Sequence, residues 1–365
     1  MPNKAATNKK ARVIAFYLPQ YHPIPENDAW WGRGFTEWTN VVKARPLFRG
    51  HDQPHLPADL GYYDLRLPET RVDQAAMAAA YGVEGFCYWH YWFAGRRLLQ
   101  RPFDETLSTG SPDFPFCLGW ANESWTGVWN NDPTRMLMEQ TYPGEADDRA
   151  HFDYLLNAFR DHRYMTVDGK PLLFIYKPLK LPDGKRRLDN WRQWALQAGL
   201  KGLYILGNNQ LDFEDAVALG LDGAVVTTLG VITTKNPLLN KAKWLFWGIS
   251  KRLKLIGPRT VGYSEAIEHL IPDLTEFGFD AYPCAYPNWD TTPRSGRKGL
   301  VLTGSTPQLF EKHLQDAVAA VSARDGEHRI VFLKSWNEWA EGNYMEPDTR
   351  WDHAYLEALR RVIQP

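Results

Sequence analysis

The feature that most constrains the fold is an alternation of element types: short β-rich runs, each followed by polar loop residues and then a helical pattern. Eight such runs occur, at 12–18, 83–92, 115–123, 171–178, 202–208, 223–228, 281–289 and 329–338, from "RVIAFYL" to "RIVFLKSWNE". Helical patterns fall between them at 68–81, 97–108, 146–160, 189–198, 212–219, 239–254 or 263–271, and 306–324, with a last one at 352–363. Parallel strands need helical crossovers, so eight repeats predict α/β architecture: one (β/α)8 TIM barrel. An open doubly wound sheet is disfavoured. "AFYLPQYHPIPEND" is Pro-rich where a dinucleotide fold would carry its Gly-rich phosphate loop.

No low-complexity linker divides the chain, which predicts a disordered leader at 1–11 and one domain over 12–365. The long insertion after the first run, 19–67, exceeds a simple βα connection and is expected to cover the barrel mouth. It is either a lid that walls a site or a structural flap packed by its own tryptophans.

A net charge of −1, from 42 basic and 43 acidic residues, gives no field to attract nucleic acid, and no nucleic-acid partner is expected. The 16 Trp, 17 Tyr and 17 Phe are in excess, and flat rings beside polar groups suit sugar faces, although a packed core gives the same count. Cys87, Cys117 and Cys284 lack metal-ligand spacing and read as buried free thiols. His51 and His55 are spaced H-x-x-x-H in "HDQPH", with His22 and His90 far from them in sequence; all four are expected to be structural or hydrogen-bonding, and neither metal nor cofactor is expected. No G-x-S-x-G elbow occurs. No apolar run reaches the length of a membrane span, which predicts a cytoplasmic protein.

Barrel enzymes gather functional groups at the C-terminal ends of their strands. That rule collects Tyr17, Gln20, Tyr21 and His22 after the first run, Trp89, His90 and Tyr91 in the second, and Trp120, Asn122, Glu123 and Trp125 in and after the third. The seventh contributes Trp289 and Asp290, and the eighth Trp336, Asn337, Glu338 and Glu341. The insertion adds Trp31, Glu37 and Trp38 as candidate sugar-binding residues, and "WDTTPRSGRKG" adds Arg294 where barrels often hold phosphate.

Within "SWNEWAEG" the i,i+3 spacing projects Glu338 and Glu341 from one face of a helical turn. Two carboxylates so close cannot both ionise freely, so one pKa rises and the pair becomes an acid and a base. Glycosidic chemistry needs such a pair. Alternatively, Glu338 pairs with an Arg and Glu341 is a solvated first-turn acid. The segment from Gly223 to Ser264 contains no Asp or Glu and carries seven Lys or Arg between 235 and 259. It reads as an outer helix with snorkelling lysines, or as a peripheral contact with the inner membrane or a phosphorylated lipid carrier.

The strings "FYLPQYHPIPENDAWWGRGFTEWTNV", "PLFRGHDQPHLPADLGYYDLR", "GFCYWHYWF", "FPFCLGWANESW", "NWDTTPRSGRKG" and "WNEWAEGNYMEPD" together resemble the WbsX family of bacterial polysaccharide-biosynthesis proteins. That family is similar to the family 99 glycoside hydrolases, the endo-α-mannosidases and endo-α-mannanases. The resemblance implies a glycan-active barrel from O-antigen or exopolysaccharide contexts, taking an oligosaccharide or polysaccharide that is free or lipid-linked. It further implies that Glu338 is the base acting on a substrate 2-hydroxyl, giving an epoxide-like intermediate with retention. Glu341 is then the general acid/base at the leaving oxygen. "WTGVWNN" at 125–131 departs from the family's "WTRxWDG" and removes a charged contact near Trp125. Three readings follow: a retaining glycoside hydrolase or transglycosylase, a sugar-nucleotide-dependent glycosyltransferase, and a noncatalytic glycan-binding protein.

Overall fold

The structure, a computed structural model, describes residues 9–127, 132–208, 213–227 and 257–364. All eight expected runs contain a strand of one closed parallel barrel. The strands are β1 (Arg12–Tyr17), β2 (Gly85–His90), β3 (Phe116–Trp120), β4 (Lys170–Ile175), β5 (Tyr204–Asn208), β6 (Gly223–Val226), β7 (Asp280–Ala285) and β8 (Ile330–Leu333). Each pairs with its neighbours in sequence. β8 returns to β1 through Val331 opposite Val13, and β4 meets β5 through Leu172 opposite Tyr204.

Among the described residues the longer helices are α1 (Pro25–Trp31), α2 (Glu37–Lys43), α3 (Pro68–Ala80), α4 (Arg101–Thr109), α5 (Glu145–Phe159), α6 (Gly184–Gln197), α7 (Phe213–Leu219), α8 (Tyr263–Leu270), α9 (Pro307–Val321) and α10 (Ala354–Ile363). Pro68 and Pro307 open α3 and α9, where a missing backbone N–H sacrifices no helical bond. Thr306 caps α9 by accepting from the Leu309 amide at 3.3 Å. The helix expected at 239–254 and nearly all of the basic stretch 235–259 lie outside the described residues, while the alternative at 263–271 corresponds to α8. Among the described residues, no helix is long and apolar enough to cross a membrane.

Strand parity decides what each rim residue can do. Phe16, Trp89, Phe174 and Phe332 point inward and stack as one layer, with ring centroids 4.9 to 5.5 Å from Phe16. Their neighbours one residue away face the helices instead. Tyr17 donates to Gln74 of α3 at 2.7 Å, His90 meets His151 of α5 at 2.8 Å, and Trp120 stacks on Trp191 of α6. The three cysteines are free and buried in this core. Of the expected leader, residues 9–11 are described, and they are tied down: the Lys10 amide donates to the Ile363 carbonyl, and Ala11 is buried.

Where β2 starts, the barrel closes on backbone. A Cβ on Gly85 would stand 2.6 Å from the Pro115 carbonyl oxygen and 2.7 Å from the Met165 sulfur. Gly85→Ala is therefore predicted to destabilise the fold by about 1–3 kcal/mol, the usual penalty of overpacking a rigid core. Urea unfolding measures this, and an unchanged midpoint would contradict the close approach.

Candidate active site

Above the Phe16 layer lies a cavity of about 380 Å³, lined in part by Gln20, Trp31, Trp89, Tyr91, Glu123, Trp125, Arg294, Glu338 and Glu341. Its outer wall is aromatic. Trp125 belongs to a β-hairpin formed by Trp125–Gly127 and Asp132–Met138, and it packs edge-on against Tyr91 and Trp30. Trp31, at the end of α1, brings the long insertion to the cavity, as expected of a lid or wall.

The floor is the segment after β8. Residues 337–338 pair antiparallel with 343–344, and the 3₁₀ turn Trp339–Glu341 between them ends at Gly342, in the left-handed region at φ 64°. A Cβ at 342 would also stand 2.7 Å from the Asp290 amide nitrogen, so the turn needs glycine on both counts. Glu338 and Glu341 thereby face the same cavity.

Their surroundings differ. The Glu338 carboxyl accepts from the Trp89 indole at 3.0 Å and lies 3.6 Å from the Lys334 ammonium and 3.9 Å from the Arg294 guanidinium. Glu341 makes a close ion pair with Arg294 and accepts from the Asn343 amide at 3.3 Å. Burial, reinforced by the Glu341 charge, pushes the Glu338 pKa up to about 7 against the pull of Lys334 and Arg294. Burial also opposes ionisation of Glu341, but Arg294, Lys334 and its hydrogen bonds outweigh it and hold that carboxyl down at about 2. At neutral pH the pair therefore holds about one proton at most, carried by Glu338. This order is the reverse of the one the resemblance implies, in which Glu341 is the acid.

Arg294 sits on the helical turn Thr292–Ser295 and is buried between three carboxylates. Its Nε donates at 2.7 Å to Glu37. Glu37 was expected to meet a sugar hydroxyl, but it is fully buried and does not line the cavity; it anchors the arginine. The charges of Glu338 and Glu341 keep Lys334 protonated despite its burial. Its ammonium lies 5.6 Å from the ring centroids of both Trp89 and Trp289, which places Trp289 at the margin of the site.

The other expected residues take supporting positions. Asn337 and Asn122 do the same work at different seams. Asn337 accepts from the Leu18 amide at 2.7 Å and donates to the Leu18 carbonyl at 3.1 Å, while Asn122 does so with Lys177 at 2.7 and 2.9 Å. Each side-chain amide extends the ladder past the end of a strand. Tyr21 is buried, its hydroxyl donating to the Asn337 carbonyl; Trp38 donates to Tyr63 at 2.9 Å; and Trp336 packs on Phe86. His22 is buried beside Asp64, with burial lowering its pKa to about 4. Asp290 is spent on His51, Gln53 and the Thr292 amide, at 2.7 to 2.8 Å, and lies behind the cavity floor. Tyr17, His90 and Trp120 face the helices.

Lys334 and Tyr176 line the cavity without having been anticipated. Both follow directly on the ends of β8 and β4, two residues beyond the inward-facing Phe332 and Phe174, so the strand-end rule applied to all eight strands would have found them. Among the described residues, Asp59, Asp352 and His353 bring ligand atoms within 4.8 Å at the surface, but none of them lines this cavity.

The barrel mouth is thus walled by aromatic rings and carries a carboxyl pair on its floor. The profile of the family described as Glycosyltransferase WbsX matches residues 13–359, and the chain belongs to that family. It is 36% identical over 357 residues to the uncharacterized protein WxcX of Xanthomonas campestris pv. campestris, in strains B100 and ATCC 33913. That match covers 97% of this chain and 50% of WxcX, so the chain spans about half the length of the curated relatives it matches. Among solved structures it is similar to a glycoside hydrolase-like protein, with TM-score 0.59, 17% identity and coverage of 98% and 95% of the two chains. The GH99 endo-alpha-mannosidase from Bacteroides thetaiotaomicron aligns with TM-score 0.53, 16% identity and 96% coverage of each chain, which shows a shared fold.

The raised Glu338 pKa makes a stability prediction. A carboxyl at about 7 in the folded state and 4.5 ordinarily contributes stability that is full below pH 4.5 and lost as pH rises through 7. At about 1.4 kcal/mol per pKa unit the swing is on the order of 3 kcal/mol. Glu338→Gln stays neutral, so it is predicted to exceed wild type in stability at pH 8 by up to that amount, with the gap closing toward pH 4.5. Glu346, also raised to about 7, is present in both proteins and cancels. Urea unfolding at the two pH values tests this; a gap that does not change with pH would contradict it.

Proposed function

We propose that the protein cleaves or transfers a glycosidic bond of a bacterial glycan, free or lipid-linked, with retention of configuration. The observation that carries this reading is the Glu338 and Glu341 couple on the cavity floor, one carboxyl held neutral and the other ionised. The sugar 2-hydroxyl donates to Glu338, which favours the ionised form there and returns the shared proton to Glu341. Glu338 then takes the 2-hydroxyl proton while the sugar O2 attacks C1. The C1 bond to the leaving oxygen breaks, and that oxygen takes its proton from Glu341. Water or an acceptor hydroxyl next opens the epoxide-like intermediate at C1, giving its proton to Glu341, and O2 recovers a proton from Glu338. Two inversions at C1 leave its configuration unchanged. The same groups act in both steps.

A specific observation also favours transfer from an activated donor. Arg294 and Lys334 place two cations at the cavity, where a phosphate leaving group would meet them, and the family description names a glycosyltransferase. The hydrolytic or transglycosylating reading is preferred because both cations are already paired with carboxylates.

Turnover of α-mannosides and bacterial glycans, alongside a panel of sugar nucleotides, separates the readings. Glu338→Gln and Glu341→Gln are each predicted to lower cleavage by about 10²–10⁴-fold, the usual worth of a positioned acid or base. Turnover only with a nucleotide donor supports the second reading, and glycan binding without turnover in wild type overturns both. The active pair carries one proton, so kcat/KM is predicted to be highest at mildly acidic pH and to fall as pH rises through about 7, where Glu338 deprotonates. Lys334 lowers the Glu338 pKa, so Lys334→Met is predicted to move that alkaline limb upward. A limb unmoved by the substitution would remove Lys334 from the account.

A further inference from the structure

Behind the cavity floor, in the segment that returns from the turn bearing Glu338 and Glu341, Glu346 is 3% exposed and does not line the cavity. Three donors converge on its carboxyl. One oxygen accepts from the Gln74 amide at 2.6 Å, and the other from the Tyr63 hydroxyl at 2.9 Å and the Trp339 indole at 2.6 Å. Gln74 belongs to α3 and Tyr63 to the long insertion, while Trp339 stands between the two cavity carboxyls in sequence. We propose that Glu346 is a positioning residue: by holding the Trp339 indole it fixes the turn that presents Glu338 and Glu341 to the cavity. The role rests on that couple being the reacting pair, as proposed above.

These donors are all neutral, and burial pushes the Glu346 pKa up to about 7 against their pull. A buried acid held only by neutral groups is costly. A carboxylate nevertheless does what its isosteres cannot. Leucine would fill the space but accept nothing, and an amide carries one accepting oxygen where a carboxylate carries two. Both oxygens are in use here, and together they join α3, the insertion and the floor.

The turn is held on both sides of Glu338. Trp339 is buried and stacks on Tyr344, with ring centroids 3.8 Å apart, and Tyr344 pairs with Asn337 across the short antiparallel ladder. The Trp339 amide donates to the Tyr21 hydroxyl at 3.3 Å, and the Asn337 amide donates to the Tyr63 hydroxyl at 3.2 Å. The residues before and after Glu338 thus reach one buried network, and Glu346 supplies its acceptor. Without that acceptor the turn is free to shift, and a misplacement of about 1 Å at a reacting group costs up to about 10²-fold in rate.

Two substitutions remove the same bond from opposite ends. Trp339→Phe keeps a ring against Tyr344 but has no N–H, and Glu346→Leu keeps bulk without an acceptor. Each is expected to lower kcat on a cleaved glycan by up to about 10²-fold with KM little changed. The double variant is expected to lose no more than the worse single one, and Glu346→Gln, which keeps one oxygen for the indole, to recover most of the loss. Circular dichroism checks folding, and Trp339→Phe carries the test if Glu346→Leu does not fold. A reading that needs no substrate is the carbon-13 titration of glutamate carboxyls. In Trp339→Phe the Glu338 resonance is expected to move from about 7 toward 4.5, since a looser turn relieves the burial and the Glu341 repulsion that raise it. Wild type inactive on every glycan counts against the function proposed above, and the titration still decides the role of Glu346. An unmoved Glu338 resonance or a wild-type kcat in Trp339→Phe, or additive losses in the double variant, overturns that role.

Discussion

Arg294 is the constraint around which the site is organised. A guanidinium buried away from water is tolerated only among acids, and here it faces three: Glu37 from the insertion, and Glu338 and Glu341 from the segment after β8. One cation thus fastens the insertion and the ends of two strands into a single floor. Because it lies closest to Glu341, it keeps that carboxylate ionised, and the remaining proton goes to Glu338. The asymmetry of two chemically identical side chains follows from where one positive charge sits.

The barrel was legible because its signal repeats eight times, and every predicted run contains its strand. The site was legible in its centre and less so at its edge. Collecting every polar or aromatic residue near a strand end ignored parity: Trp89 enters the cavity, while His90, one residue on, packs against His151. The same alternation takes Tyr17 and Trp120 to the helices. Asn122 and Asn337 looked like sugar ligands in their Asn-Glu pairs, yet both clamp a neighbouring strand's backbone, a long-range contact that sequence spacing does not encode. Lys334 was overlooked although it follows directly on β8, and its role depends on two carboxylates that only the folded turn brings to it.

The cavity at the barrel mouth is aromatic above and charged below, with ionisable groups held at displaced pKa values, a state that lowers stability and is common where chemistry takes place. The chain belongs to the WbsX family and shares its fold with a glycoside hydrolase-like protein.

The most direct measurement of the central claim, a carboxyl couple split by its surroundings, is a carbon-13 NMR titration of the free protein labelled at glutamate side-chain carboxyls. The account predicts a resonance titrating near pH 7 that disappears in Glu338→Gln, and another, ionised down to about pH 2, that disappears in Glu341→Gln. Both carboxyls titrating together near the ordinary 4.5 would contradict it.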